Sequence, residues 1–364
     1  MKNINTLVIY ANRATNQTFS YQIGWPYALQ NHRLFACNSL NVSSIRYIEK
    51  LKTLLKIKFR KPELILVMHS VFSNTNLLSS GTLFDMLCET NIPIVYFIGN
   101  EYKLMPEKIN FSKNLSISML VTQSHSHKIH QIYREAIGCQ VIGLPNTGIN
   151  PDVFKPIIEF DKREIDIGYR ATSGTLYLGH NERNSIAQYF NKYSCKHNLT
   201  LDISTDETQR FTTQQWALFL NQCKGQIGSE AGYDYFEIND KTRLAVNKYT
   251  DNKPQATFEE VYEKYFENYG PKTPMRIISG RNIEAAGTKT VQILFEGEYG
   301  GYFQPDTHYI PLKKDFTNFD EVIDKFSDSS YSSQIASNAY DLVMSELTYD
   351  KILNKFYEQV QLIL

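Results

Sequence analysis

The chain has 364 residues, of which 42% are hydrophobic and 21% charged, with 24 Tyr and 21 Phe. That aromatic content excludes a disordered chain, and the length exceeds what one core usually serves, so two domains are expected. Lys and Arg balance Asp and Glu at 38 each, but residues 1–150 hold 15 basic and 7 acidic groups against 23 and 31 in the remainder. A basic front half points either to an anionic partner on that side or to a plain solvated surface.

In the first 150 residues, short apolar runs read as strands: Thr6–Tyr10, Arg33–Cys37, Leu64–His69, Pro93–Gly99, Ser116–Gln123 and Gln140–Leu144. Runs apolar on both faces suit central strands of a covered parallel sheet. Helical patterns fall between them at Ser43–Phe59, Thr75–Glu89 and Ser124–Ile137. The turn-rich stretch Leu144–Pro156 places a domain boundary near residue 150.

The alternation then restarts. Strands are expected at Glu164–Ala171, Leu199–Ser204, Gly225–Ser229, Thr290–Phe295 and His308–Leu312. Helices are expected at Asn181–His197, Thr213–Gln222, Thr257–Tyr269, Arg281–Gly287, Asn318–Ser327, Ser333–Glu346 and Tyr349–Leu364. The polar segment 234–274 reads as an insertion, either a lid or a surface excursion. The expected architecture is α/β: a doubly wound domain over 1–150, a second over 151–345, and a final helix, 346–364, packing back toward the first.

Five scattered cysteines without a Cys-x-x-Cys pair argue for a reducing compartment and against structural zinc. The start of the chain is too briefly apolar for a signal peptide, and no apolar run approaches ~20 residues. A cytoplasmic protein is expected. Basic residues over 46–61 flank an apolar helical stripe, either the solvated face of a core helix or a peripheral contact with the inner membrane face.

Ligands of open α/β sheets bind beyond the carboxyl ends of the strands. Arg170 ends the first strand of the second half, and its planar cation suits a diphosphate; the alternative is a salt bridge. Gly228, Ser229 and Glu230 end the third, where small residues around a carboxylate suit a nucleoside. Next comes Ser279-Gly280-Arg281-Asn282-Ile283-Glu284-Ala285-Ala286-Gly287-Thr288. There a helix N-terminus at Arg281 favours an anion, Glu284 is placed for ribose hydroxyls, and Gly287 and Thr288 close the helix. In the front half, His69 and Glu101 follow strands and are candidates to deprotonate or orient a hydroxyl. His125, His127 and His130 have metal-like composition but fall on different helix faces, so no metal site is expected. No Walker loop, Gly-x-Gly-x-x-Gly, Cys–His nucleophile or nucleic-acid module occurs.

The segments Arg281–Ala286, Phe295-Glu-Gly-Glu-Tyr-Gly-Gly301 and His308-Tyr-Ile-Pro-Leu312, with the connector Asn146–Pro156, resemble the nucleotide-sugar half of GT-B glycosyltransferases. They look closest to the CgeB-like branch related to glycosyltransferase family 4. The resemblance covers roughly Gln140 to Leu364 and is weak before it. It implies two Rossmann-like domains facing a cleft. It also implies sugar transfer from a UDP- or GDP-sugar co-substrate to a glycan, a lipid-linked glycan or another hydroxyl acceptor, in bacterial surface polysaccharide synthesis. By the same resemblance Glu284 matches the second glutamate of the family's Glu-x7-Glu motif, which contacts the donor ribose. The first would fall on Arg276, a departure that leaves retention of configuration open. No Asp-x-Asp pair occurs, which fits metal-independent transfer with Arg170 and the Arg281 helix neutralising the leaving diphosphate. A GT-B-fold nucleotide-sugar epimerase and a non-catalytic two-domain sugar-binding protein are the rival readings.

Overall fold

The computed structural model describes residues 2–12, 20–43, 61–270 and 273–364. Residues 44–59 of the expected helix Ser43–Phe59 and the basic residues at 46–60 lie outside the described residues. The chain divides into two compact units. One comprises Met1–Thr147, Phe236–Arg243 and Tyr349–Leu364; the other comprises Gly148–Tyr235 and Leu244–Thr348.

The first unit is built on a six-stranded parallel sheet in the order β2-β1-β3-β4-β5-β6. Its strands are β1 (Ile4–Tyr10), β2 (Phe35–Asn41), β3 (Leu64–Val67), β4 (Ile94–Phe97), β5 (Met119–Thr122) and β6 (Gln140–Gly143). All four residues of β3, β4 and β5 are buried, as strands covered on both faces require. Alternate residues of β4 serve opposite faces. Val95 and Phe97 meet helices α1 (Ser20–Asn31) and α12 (Tyr349–Val360), while Tyr96 meets Phe111. Helix α12 sends Ile352, Leu353, Phe356, Tyr357 and Val360 into that core, with Phe356 5.4 Å from Phe97 and 5.9 Å from Phe35. Burying each such side chain contributes about 1.5–3 kcal/mol, so the end of the chain is integral to this unit.

Helix α1 has no counterpart in the sequence reading because Gly24 and Pro26 interrupt it. Gly24 has a steric reason: a Cβ there would sit 1.9 Å from the Tyr349 hydroxyl oxygen. Trp25 fills the adjoining space and donates Nε1–H to the Asn146 carbonyl at 2.9 Å. The expected helix over 75–89 shortens to α2 (Thr82–Cys88), since Ser79-Ser80-Gly81 break it. Two further helices, α3 (Met105–Asn114) and α4 (His127–Ile137), complete the described helices that follow strands here.

The second unit holds a five-stranded parallel sheet in the order β13-β12-β9-β7-β8. The strands are β7 (Ile165–Arg170), β8 (Leu201–Ser204), β9 (Cys223–Gly228), β12 (Val291–Phe295) and β13 (Ile310–Leu312). Helices α5 (Glu182–Tyr193) and α10 (Phe319–Ser327) pack on one face. On the other lie α6 (Thr213–Gln222), α9 (Gly280–Gly287) and α11 (Ser329–Glu346). The segment read as an irregular insertion, 234–274, is bracketed by an antiparallel pair, β10 (Ala231–Tyr233) with β11 (Met275–Ile277), and holds helices α7 (Lys241–Asn252) and α8 (Phe258–Tyr265). Among the described residues, no helix is long and apolar enough to cross a membrane.

Candidate functional site

In the second unit the crossovers leave β7 and β9 in opposite directions, which opens a crevice at their carboxyl ends. The segments that follow the strands there carry the chemistry. His180 and Glu182 come after β7, Ser229 and Glu230 after β9, Gly297 after β12, and Lys314 after β13.

The centre of this edge is an ion cluster. Arg276, on β11, donates Nη1–H and Nη2–H to the two Glu182 oxygens at 3.0 and 2.9 Å, and Nε–H to Asp234 Oδ1 at 2.8 Å. Lys314 Nζ reaches Glu182 Oε1 at 2.8 Å. Burial alone would raise the Glu182 pKa, but the Arg276 guanidinium and the other cations outweigh it and hold the group below its usual range. Burial takes the His180 imidazole down to about 4, with the Arg276 charge pushing the same way. Glu230 moves in the opposite direction: burial raises it, although its Oε1 accepts the Tyr299 N–H at 2.7 Å. Gly297 admits that carboxylate, because a Cβ there would lie 2.6 Å from Glu230 Oε2.

Two arginines begin helices at the same edge. Arg183 is the second residue of α5 and Arg281 the second of α9. Both guanidiniums act on the buried Tyr169 phenol, opposing the upward push that burial gives its pKa. Helix α9 is capped by Ser279, whose Oγ accepts the Arg281 N–H at 3.3 Å, while Asn282 Oδ1 accepts the Ser279 N–H at 3.1 Å. Its amino end, with its partial positive charge, therefore points to the same strand edge. Gly228 lies against it, 3.6 Å from Asn282 Nδ2 by its would-be Cβ.

Other expected residues fare differently. Arg170 is not a free cation. It lies on the opposite face of β7 from Tyr169, donates to Asp202 Oδ1 at 2.7 Å and to the Asp202 carbonyl at 2.9 Å, and rests 4.6 Å from the Phe219 ring centre. The salt bridge is the alternative that holds. Gly287 and Thr288 sit at the far end of α9, away from the strand carboxyl ends. Gly287 makes room for Ile149, whose Cδ1 would be 1.9 Å from a Cβ. The Thr288 hydroxyl donates to the Ala285 carbonyl, and its own carbonyl accepts from Arg163 Nη2–H. Both are packing residues. Ser229 bonds the Glu230 carbonyl at 3.1 Å. Glu284, in the middle of α9, is buried and accepts Trp216 Nε1–H at 2.8 Å.

In the first unit, Glu101 is unsuited to be a base. Its carboxylate already accepts from the Thr122 hydroxyl and the Tyr133 hydroxyl, each at 2.5 Å, and from the Gln123 N–H at 2.9 Å. Burial raises its pKa against those bonds. It braces the loop after β4. Lys108, fully buried, braces the same loop by donating to the carbonyls of Gly99, Asn100 and Lys103 at 2.6, 2.9 and 2.9 Å. Burial pulls its pKa down to about 7. His69 begins a short helical turn after β3 and lines a small cavity with Trp25, Gln123 and Asn146. Burial lowers its pKa to about 4, so at neutral pH it is an uncharged imidazole.

The sequence reading gave no role to Glu182, Arg183 or Lys314 and named Arg276 only as a departure from the family pattern. Lys313-Lys314 directly after a strand was the available signal. The Arg276 contacts span up to 94 positions in the chain and leave no local pattern. Among the described residues, no group of three or more His, Cys, Asp or Glu is placed to hold a metal ion.

No protein-family model matches the sequence, and no curated protein does. Solved structures do match. Anabaena HepE in complex with UDP aligns over 99% of this chain and 100% of its own, with TM-score 0.54 and 9% identity. A glycosyltransferase from Rickettsia africae aligns over 100% and 99% (TM-score 0.54, 10% identity). Sucrose-phosphate synthase from Thermosynechococcus elongatus aligns over 100% and 98% (TM-score 0.54, 11% identity). TarM also matches, at TM-score 0.46 and 10% identity, and there the chain spans only 54% of the other's length. The fold is thus the expected one, a two-domain GT-B arrangement of Rossmann-like α/β sheets.

Proposed function

We propose that the chain is a glycosyltransferase that takes a sugar from a UDP- or GDP-sugar and passes it to a hydroxyl acceptor, through a donor site on the second unit. The observation that carries this is that Arg183 and Arg281 each occupy the second position of a helix that starts at the carboxyl edge of the sheet, the second of them in a capped helix amino end at the β7/β9 switch point. Fixed guanidiniums and peptide dipoles match a diphosphate and need no reorganisation as charge develops on the leaving group. The fold supports the same reading, since HepE, which shares it, was solved with UDP and with UDP-glucose.

In this reading Arg183 and Arg281 grip the diphosphate, and no metal ion is required. Ser229 and Glu230 border the nucleotide. Glu284, held by Trp216, is the ribose-facing carboxylate that family 4 and CgeB-like relatives would supply. Arg276 and Lys314 stand next to the transferred sugar, with Glu182 fixing both. The first unit takes the acceptor, a glycan or lipid-linked glycan of a bacterial surface polymer. His69 orients the acceptor hydroxyl as a neutral imidazole.

Calorimetric titration of the full chain with UDP and GDP tests the donor half of the proposal. One of the two should bind, and substituting Arg183 and Arg281 by Ala should weaken it. Conversion of a UDP-sugar with no acceptor present would point to an epimerase instead.

A further inference from the structure

The segments that follow β3 and β4 enclose a groove of about 510 Å³ in the first unit, a size within the ~300–1,000 Å³ typical of small-molecule sites. Its floor is aromatic, with Phe84 half-buried and Phe72 and Phe111 buried beneath it. Phe111 of α3 stacks on Phe84 with centroids 6.1 Å apart and planes at 20°, and meets Phe72 edge-on at 5.6 Å. One wall is a single face of α3. Glu107, Asn110, Phe111 and Asn114 follow one another at the i, i+3, i+4, i+7 spacing and all line the groove. Asn110 and Asn114 are exposed. The other wall is the bend region before α2, where Asn74, Thr75 and Ser79 are exposed.

We infer that this groove binds neutral hexopyranose units of an oligosaccharide, the acceptor strand of the transfer proposed above. A pyranose offers an apolar C–H face and a rim of hydroxyls. The partly exposed Phe84 ring suits the first, and carboxamides, each with two N–H donors and an acceptor oxygen, suit the second. Among the described lining residues, Glu107 alone carries a charge. The lining therefore matches an uncharged sugar better than a phosphorylated or carboxylated one. Asn74 is already set by Asn100, whose Nδ2–H it accepts at 3.0 Å, so part of the rim is preorganised. The word acceptor rests on the transferase reading; sugar binding by the groove does not.

The test is calorimetry or saturation-transfer NMR on the full chain with cellohexaose, maltohexaose and chitohexaose, and with UDP in parallel. At least one oligosaccharide should bind. The double variant Asn110→Ala, Asn114→Ala should lose about tenfold or more in that affinity, as expected for two lost hydrogen bonds. Its melting temperature and UDP affinity should stay as in the parent chain. Failure of all three sugars to bind, or unchanged affinity in the variant, overturns the inference. If UDP does not bind but the sugar does, and the variant loses it, the transferase reading fails and the groove stands.

Discussion

Arg276 holds both oxygens of Glu182 with its two terminal nitrogens, at 3.0 and 2.9 Å, inside an edge of the second sheet where both side chains are 10% exposed. A buried bidentate pair fixes geometry more surely than it adds net stability. Here it ties β11 to the first turn of α5, so that Arg183, one residue on, is aimed from a rigid base.

Breaking the pair from one side should be costly. Arg276→Ala leaves Glu182 with Lys314 as its remaining strong partner and should destabilise the fold by about 3–5 kcal/mol. Urea denaturation measures this. A loss below about 1 kcal/mol would show that the pair is solvated rather than buried.

The same carboxylate sets an acid dependence. The Glu182 pKa is lower in the folded chain than its ordinary value of 4.5. Its contribution is therefore present above that value and lost as the pH falls through the folded one. Stability of the parent chain should drop more steeply below pH 4.5 than that of Glu182→Gln. Equal acid slopes in paired thermal melts would contradict the assignment.

Glu101 should behave as a brace rather than a base. Glu101→Gln keeps an acceptor oxygen for the Gln123 N–H, and the Thr122 and Tyr133 hydroxyls can rotate to accept from the new amide. It should retain most of the proposed transferase activity, while Glu101→Ala costs about 2–4 kcal/mol through orphaned polar groups. Activity abolished in a fully folded Gln variant would restore the catalytic reading.

Gly287 and Thr288 should be silent toward nucleotide. Gly287→Ala drives a methyl into Ile149 and should cost about 1–3 kcal/mol. The affinity of the folded protein for UDP or GDP should not change, and calorimetry on the variant reads this directly.

What the sequence made legible follows from what each signal depends on. The run Leu64–Val67, and Val291–Phe295 apart from Gln292, announce buried parallel strands through apolar composition. Helix α12 shows its apolar stripe through Ile352, Phe356 and Val360. Helix α1 was hidden because Gly24 and Pro26 answer to Tyr349 and the surrounding core, partners that propensity does not see. Arg170 illustrates the limit at the site. Its place at a strand end was readable, but the strand's period of two turned it to the face where Asp202 and Phe219 wait. Arg281 could be proposed from sequence because a helix cap and its cation are neighbours in the chain. Arg276 was passed over because its partners arrive from Glu182 and Asp234, far along the chain.

The most direct measurement is calorimetric titration of UDP and GDP into the parent chain, Arg170→Ala, and the double variant Arg183→Ala, Arg281→Ala. The account predicts that one nucleotide binds the parent. It also predicts an affinity little changed by Arg170→Ala and reduced by about a hundredfold or more in the double variant, since charge-assisted contacts contribute about 1.5–3 kcal/mol each. A parent chain that binds neither nucleotide, or a folded double variant that binds as tightly as the parent, contradicts it.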